Sequence, residues 1–288
     1  MKIGIIGFNI GTENGAQAIE IAQQAEACGV ESIWTFEHVM IPLEYESKYP
    51  YTKDGRMGVH PETNMIDPLI GLAAVAAATS TLRLATGVNI LPQVNPLLLA
   101  KQAASLDFIS SGRLMLGLGI GWLEEEFDAM GVPFAARGRR NDDYLQAMRK
   151  VWSGDVVEHE SEFLSWHGFK SYPTPVQDPL PIVIGGSKGK AFERIARFAQ
   201  GWYAPTAGLQ QLQEEMNTLA SVCAEHGRDA AEIEVSTMWV PQMEPDKVQA
   251  AADIGVSRLI VPLAALSGMG ETLSDRFKRF GDEVMADL

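Results

Sequence analysis

Two cysteines, Cys28 and Cys223, are all that a chain of 288 residues contains, and both fall within helical patterns far apart in sequence. A disulfide-stapled secreted scaffold is thereby excluded, and two reduced thiols in a cytoplasmic protein are expected. Histidine is also scarce. His60, His159, His167 and His226 share no metal-ligand spacing with one another or with the cysteines, so no metal site is expected. Cations are few: 23 Lys and Arg against 37 Asp and Glu leave a net charge of −14. That balance argues against nucleic acid and against an anionic membrane surface as partners. No apolar run approaches the ~20 residues that a membrane span requires. The opening Met1 to Phe8 is too short and too β-branched for a signal h-region, and no small-residue cleavage site follows, so it reads as a first strand.

What is present is apolar and rhythmic. Residues of apolar type make up 46% of the chain, ample for a large core. Strand and helix patterns alternate from end to end. Strands are expected at residues 2–8, 31–36, 82–90, 114–118, 182–184, 201–204, 233–240 and 258–262. Helices are expected at 16–28, 65–79, 96–109, 140–152, 191–199, 209–226, 245–254 and 273–285. Residues 25–34 align without gaps on residues 251–260, each a helix end, a glycine and a buried strand. Eight such units predict a (β/α)8 TIM barrel over residues 1–288 as a single domain, rather than an open doubly wound sheet. Two segments exceed the minimal barrel. A long loop after strand two, residues 37–64, carries Tyr45, Tyr49 and Tyr51 and reads as a lid on the active-site side. A small insertion before strand five, residues 156–177, reads as a hairpin covering part of the barrel mouth.

Four places carry the candidate chemistry. Strand four ends in Gly117, Gly119, Gly121 and Trp122, where backbone without Cβ atoms can approach a ligand. The spacing is G-x-G-x-G rather than the dinucleotide fingerprint G-x-G-x-x-G. Strand five runs into Gly185, Gly186, Ser187, Lys188 and Gly189. This resembles a hydrolase nucleophile elbow, but His226 is the only later histidine and lies at a polar helix end. It is not a P-loop either, and an anion site at a helix start is the favoured reading over a plain tight turn. His38 follows strand two, well placed for acid–base chemistry or for bonding a cofactor ring. Strand three carries Gly87, where a bulge or strained peptide and an ordinary strand end both remain open. Arg137, Arg139 and Arg140 sit at a helix start and are expected to pair with Asp142 and Asp143.

Taken together, the motifs resemble the bacterial-luciferase-like family of flavin and deazaflavin oxidoreductases. The resemblance spans essentially the whole chain. It rests on Ala25, Glu26, Gly29 to Trp34; on Pro96, Ala100, Lys101, Asp107, Gly112, Arg113 and the glycines to Trp122; and on Gly185, Gly186, Ser187, Gly201 and Trp202. Ser47 to Tyr51 with Asp54 and Gly55, and Met130 to Phe134 with Arg137, Gly138 and Arg140, are similar to a subgroup described as coenzyme F420-dependent. The resemblance implies that the ring-proximal histidine is His38 and that a non-prolyl cis peptide falls at Gly87–Val88, beside Asn89. It implies phosphate contacts at Gly119, Ile120 and Gly121 and at Gly185, Gly186 and Ser187. A homodimer through the helices beside strands two to four is also implied. Tyr45, Tyr49, Tyr51, Trp122, Met238 and Trp239 are expected to line the side of a small-molecule substrate. The expected activity is hydride transfer with coenzyme F420. An FMN-dependent monooxygenase is the alternative, and a non-catalytic flavin-binding barrel comes third. Members that oxidise a sugar phosphate carry an acidic residue where Trp122 stands and a tryptophan near Pro42, and this chain has neither.

Overall fold

A computed structural model describes residues 1–206, 208–241 and 246–286. Eight parallel strands close into a barrel: β1 (Lys2–Ile6), β2 (Ser32–Thr35), β3 (Arg83–Thr86), β4 (Leu114–Gly119), β5 (Ile182–Gly185), β6 (Gly201–Ala204), β7 (Glu234–Met238) and β8 (Arg258–Pro262). Closure is shown by β1 pairing with both β2 and β8, and by β3 pairing with β4 through Leu84↔Leu114 and Ala85↔Met115. The chain is a (β/α)8 barrel, as its alternating pattern predicts. Expected helix 245–254 begins outside the described residues, and its described part is Lys247–Asp253. No helix among the described residues is long and apolar enough to cross a membrane.

Strand periodicity divides the core into two layers. Ile6, Trp34, Ala85, Met115, Val183 and Ile260 point into the barrel, with Phe36 and Tyr203 packed against them. Outward-pointing Ile5, Ile33, Leu84, Leu116, Ile182 and Leu259 meet the helices. The floor of the barrel is ionic. Arg258, 1% exposed, forks onto Glu31 with contacts of 2.8 and 2.7 Å and reaches Glu234 at 3.1 Å, while Lys2 also bridges to Glu234. Two carboxylates and the Ser236 hydroxyl satisfy the buried guanidinium.

Helix starts follow local chemistry. Asp67 caps α2 (Pro68–Ala78) and Asn95 caps α3 (Pro96–Ile109), each with proline in the first turn; α1 (Gly15–Ala27) is capped by Asn14. Beyond β4 the chain forms a short helix the sequence pattern did not announce, α4 (Glu124–Ala129), and then α5 (Arg137–Trp152), three residues longer at its start than expected. The remaining helix that bears on the mouth is α6 (Ala191–Phe198), after β5.

Two expectations are corrected here. Strand three is not continuous over 82–90: it ends at Thr86, passes through a cis peptide at Gly87–Val88, where the family resemblance implied one, and resumes as Asn89–Ile90 beside Leu118 and Gly119. The hairpin (Val157–Glu160 with Ser165–Phe169) forms, but it lies along α5 rather than across the mouth. Asp143 of α5 holds His159 at 2.8 Å and Ser161 at 2.7 Å, and Arg139 holds Glu162 at 2.6 Å, so the polar contacts clasp the hairpin to that helix.

The alternating glycines of β4 answer to this broken strand. A Cβ on Gly117 would lie 1.7 Å from the Thr86 carbonyl oxygen, and one on Gly119 would lie 2.6 Å from Val88 Cγ2. At Gly121 it would meet Phe127 at 2.6 Å and Ile90 at 2.8 Å. Each glycine is thus required by the protein's own packing, whereas the sequence suggested a ligand's approach. Gly117→Ala is therefore expected to cost about 3 kcal/mol or more in unfolding free energy. Gly58→Ala, at a site with nothing within 4 Å of the new carbon, should change stability by less than about 0.5 kcal/mol. Chemical denaturation of the two variants beside the parent checks the pair.

Candidate functional site

The mouth is organised by the acidic run Glu124, Glu125 and Glu126 at the start of α4. Glu126, 1% exposed, accepts a hydrogen bond from the Val39 amide at 2.6 Å, lies 3.4 Å from the Met40 amide, and accepts from Gln93 Nε2 at 3.2 Å. Its Oε2 lies 3.0 Å from His38 Nδ1. Burial opposes ionisation of this carboxyl, but His38, Gln93 and the Val39 amide outweigh it and hold the group below the ordinary carboxylate range. Glu125 accepts from the amides of Glu46 at 2.6 Å and Ser47 at 3.1 Å, while the Glu124 amide donates to the Ser47 hydroxyl at 3.0 Å. Those contacts overcome desolvation and keep Glu125 down at about 2. Two consecutive carboxylates and the Glu124 amide therefore fasten the loop after β2 to the barrel.

The fastened loop builds an aromatic cluster around Trp122. Its ring lies 5.9 Å from His38, 5.8 Å from Tyr45 and 5.1 Å from Tyr49, all edge-on, and Tyr51 stands 5.2 Å from Tyr49. Arg56 covers Tyr45 at 4.6 Å and donates to its carbonyl at 2.8 Å. Beneath the cluster, Tyr203 packs on Trp34 at 5.6 Å, and its hydroxyl pKa is driven up by burial and by the neighbouring Tyr49 and Tyr51. The structure thus brings His38, Tyr45, Tyr49, Tyr51 and Trp122 together at the C-terminal mouth. Met238 stands at the end of β7, 37% exposed. Trp239 does not join them: it is 3% exposed and belongs to the core between barrel and helices, because strand alternation turns it outward.

Next to His38 in the chain stands a second carboxyl, that of half-buried Glu37. Glu37 accepts from Asn89 Nδ2 at 2.5 Å and from the Ile90 amide, tying the end of β2 to the far side of the cis peptide. Asn89 Oδ1 is buried without a partner among the described residues. Burial pushes Glu37 from its ordinary 4.5 up to about 7; the bonds from Ile90 and Asn89 oppose this, and the nearby Glu126 and Asp67 reinforce it.

At the next strand end, Val88 sits between the glycines of β4 and β5, since a Cβ on Gly185 would lie 3.0 Å from Val88 Cγ1. Gly186 has φ of +100° with nothing within 4 Å of its missing Cβ, and its carbonyl accepts from Trp202 Nε1 at 2.9 Å. Ser187 follows, half-buried, before exposed Lys188, Gly189 and Lys190 lead into α6. The arginine cluster does not pair as expected. Arg137 donates to the Gly121 carbonyl at 3.3 Å, Arg140 donates to Pro133 O at 3.0 Å, and Arg139 takes Glu162. Asp142 is held instead by Arg194 of α6 at 2.5 Å, and Asp143 by the hairpin. Arg137, Gly121 and the start of α6 consequently share one corner of the mouth.

Sequence reasoning missed Glu37, Gln93, Glu126 and Tyr203. Only Glu126 had a signal: an acid four residues after Trp122, on a helix turn directly beyond the glycine strand.

A parallel barrel with a histidine and an aromatic lid at its C-terminal mouth defines a class of small-molecule enzyme rather than a structural domain. The sequence profile described as luciferase-like monooxygenase matches residues 6–283, and the chain belongs to that family of oxidoreductases. An uncharacterised protein of Mycobacterium tuberculosis is 30% identical over 289 residues, covering 100% of this chain and 99% of that protein. The oxygenase component of a flavin-dependent trigonelline monooxygenase from Acinetobacter baylyi is 31% identical over 169 residues, 58% of this chain and 41% of that protein. In fold, the chain matches the coenzyme F420-dependent tetrahydromethanopterin reductase of Methanopyrus kandleri with a TM-score of 0.77 at 16% identity, covering 99% of each chain.

The pH dependence of Glu37 follows from its raised pKa. The folded state binds this proton more tightly than the unfolded chain does, so its stabilising contribution is complete below about pH 4.5 and is lost as pH rises through about 7. Glu37→Gln, titrated by urea denaturation across that window, should gain on the parent by up to about 3 kcal/mol. A stability difference that stays flat from pH 4.5 to 7 would contradict the assignment.

Proposed function

We propose that the protein is a coenzyme F420-dependent oxidoreductase that exchanges a hydride between the deazaflavin ring and a small organic substrate. The observation that carries this reading is that Glu126 fixes His38 while the adjacent Glu37 bonds Asn89 and Ile90, directly after Val88, which packs between the Gly119 and Gly185 positions. The residues present fit such a cofactor. Asn89 retains an unpartnered buried oxygen, and Gly186 leaves open space where a side chain would stand. Val88 and Asn89 would support the ring, while Gly119, Ile120, Gly121, Gly185, Gly186 and Ser187 would hold the phosphate end, with Arg137 at the same corner. When bound, the deazaflavin supplies a two-electron hydride donor or acceptor. His38 would move a proton at its exposed ring nitrogen, and Tyr45, Tyr49, Tyr51, Trp122 and Met238 would exclude water from the reacting atoms.

Whole-length correspondence with an F420-dependent reductase supports the deazaflavin. A second reading, an FMN-dependent monooxygenase, is favoured by the 31% identical trigonelline oxygenase. Fluorescence titration of the apo-protein separates them. Micromolar binding of F420 with at least tenfold weaker FMN binding is expected, and the reverse order would install the monooxygenase. His38→Ala should retain cofactor binding within about threefold and lose about 10²-fold or more in turnover. Full turnover in that variant would leave the histidine without a catalytic part.

The proposed homodimer uses the outer faces of α2 and α3, where Ile70 is 69% and Leu98 57% exposed. Sedimentation should give a dimer for the parent and a monomer for the Ile70→Glu, Leu98→Glu double variant. A monomeric parent would remove the proposal.

A further inference from the structure

We infer that Glu126 is a positioning residue that fixes His38 as its Nδ1–H tautomer, leaving Nε2 as the proton acceptor at the barrel mouth. The inference concerns the protein's own hydrogen bonding; only its catalytic meaning rests on the function proposed above.

An ionised carboxylate only accepts hydrogen bonds, whereas a neutral imidazole has one nitrogen that donates and one that accepts. Glu126 Oε2 lies 3.0 Å from His38 Nδ1, so the contact is a hydrogen bond only if Nδ1 carries the proton. Glu126 is kept in the accepting form by its surroundings. Its Oε1 takes the Val39 amide, with Met40 nearby, and its Oε2 also takes Gln93 Nε2. The one other arrangement, a protonated Oε2 donating to a bare Nδ1, is disfavoured because the Val39 and Met40 amides and Gln93 Nε2 all stabilise the carboxylate form. The carboxylate is 1% exposed and cannot trade them for water.

The histidine is equally constrained. Its side chain is only 11% exposed, and the edge-on Trp122 ring at 5.9 Å limits its rotation. Nε2 makes no hydrogen bond to any described residue, yet it is not among the buried unpartnered atoms, so it is open to solvent. With Nδ1 committed to Glu126, a proton arriving from a substrate can be taken only at Nε2. The imidazolium so formed keeps its Nδ1–H on a carboxylate that balances the new charge, and the same proton leaves again from Nε2. This is the orienting and charge-balancing part that a buried acid plays for a catalytic histidine. Glu126 belongs to α4 and His38 to the loop after β2, and the same carboxylate holds the start of that loop through the Val39 amide.

Nitrogen-15 spectroscopy of the histidine-labelled apo-protein reads the tautomer directly. The chain has five histidines, and His38→Gln identifies the signals by their loss. At about pH 9 the parent should show a pyrrole-type shift at Nδ1 and a pyridine-type shift at Nε2. Glu126→Gln removes the charge and admits either tautomer, so the two nitrogen shifts should move toward each other. Glu125→Gln loosens the loop at Glu46 and Ser47 without touching His38 and should leave both shifts in place. A parent ring with the proton on Nε2, an even mixture, or a doubly protonated ring would each overturn the inference. So would shifts in Glu126→Gln identical to the parent's, because a purely structural Glu126 predicts that result. If Glu126→Gln does not fold, the parent spectrum decides alone. The outcome is independent of cofactor: a protein that binds neither F420 nor FMN yet shows the Nδ1–H ring sustains this inference while the proposed function fails.

Discussion

One buried carboxylate holds the mouth of this barrel together. Glu126 gathers the His38 imidazole, the loop amides of Val39 and Met40, and the Gln93 amide around two oxygens that are themselves withdrawn from water. Charge-assisted hydrogen bonds of this kind are stronger than neutral ones, and leaving any member unpaired in a dry site is costly. The long loop after β2 is held in place because α4 presents the carboxylates of Glu125 and Glu126 to its backbone amides. Loop position, histidine orientation and the aromatic cluster over the barrel are consequences of a single short helix.

A second constraint runs through the wall. Between Thr86 and Asn89 the third strand leaves its regular path, and the chain returns close enough to β4 that no side chain fits at Gly117 or Gly119. Val88 is thereby lifted between β4 and β5, and Asn89 and Ile90 are brought onto Glu37. The glycine run that looks like a ligand loop is in the first place a packing solution. Whatever ligand uses this surface meets a platform that the protein's own steric needs have shaped.

The two ends of the barrel show opposite uses of charge. At the floor, Arg258 and Lys2 face Glu31 and Glu234, two cations on two carboxylates with nothing left over. At the mouth, the acids Glu37 and Glu126 stand near each other beside the His38 imidazole, and one of them is pushed toward neutrality. Surplus negative charge in a desolvated place is a hallmark of a site rather than of a scaffold.

Much of this was legible in the sequence, for local reasons. Period-two apolar strands, glycines at helix ends, and the Asp67–Pro68 and Asn95–Pro96 helix starts are properties of adjacent residues, and they determined the eight-unit barrel. The position of His38 at a strand end, and the placement of the lid tyrosines, followed from the same order of elements. Only the tertiary structure decided which groups meet. Glu126 is 88 residues from His38, and Gln93 is 33 from Glu126, so no spacing rule links them. It also turned Trp239 outward, sent the hairpin along α5, gave Asp142 to Arg194 rather than to a neighbouring arginine, and assigned the glycines of β4 to Thr86, Val88 and Ile90. Those outcomes depend on distances across a closed barrel, which burial and hydrogen-bond satisfaction fix only once every strand is in place.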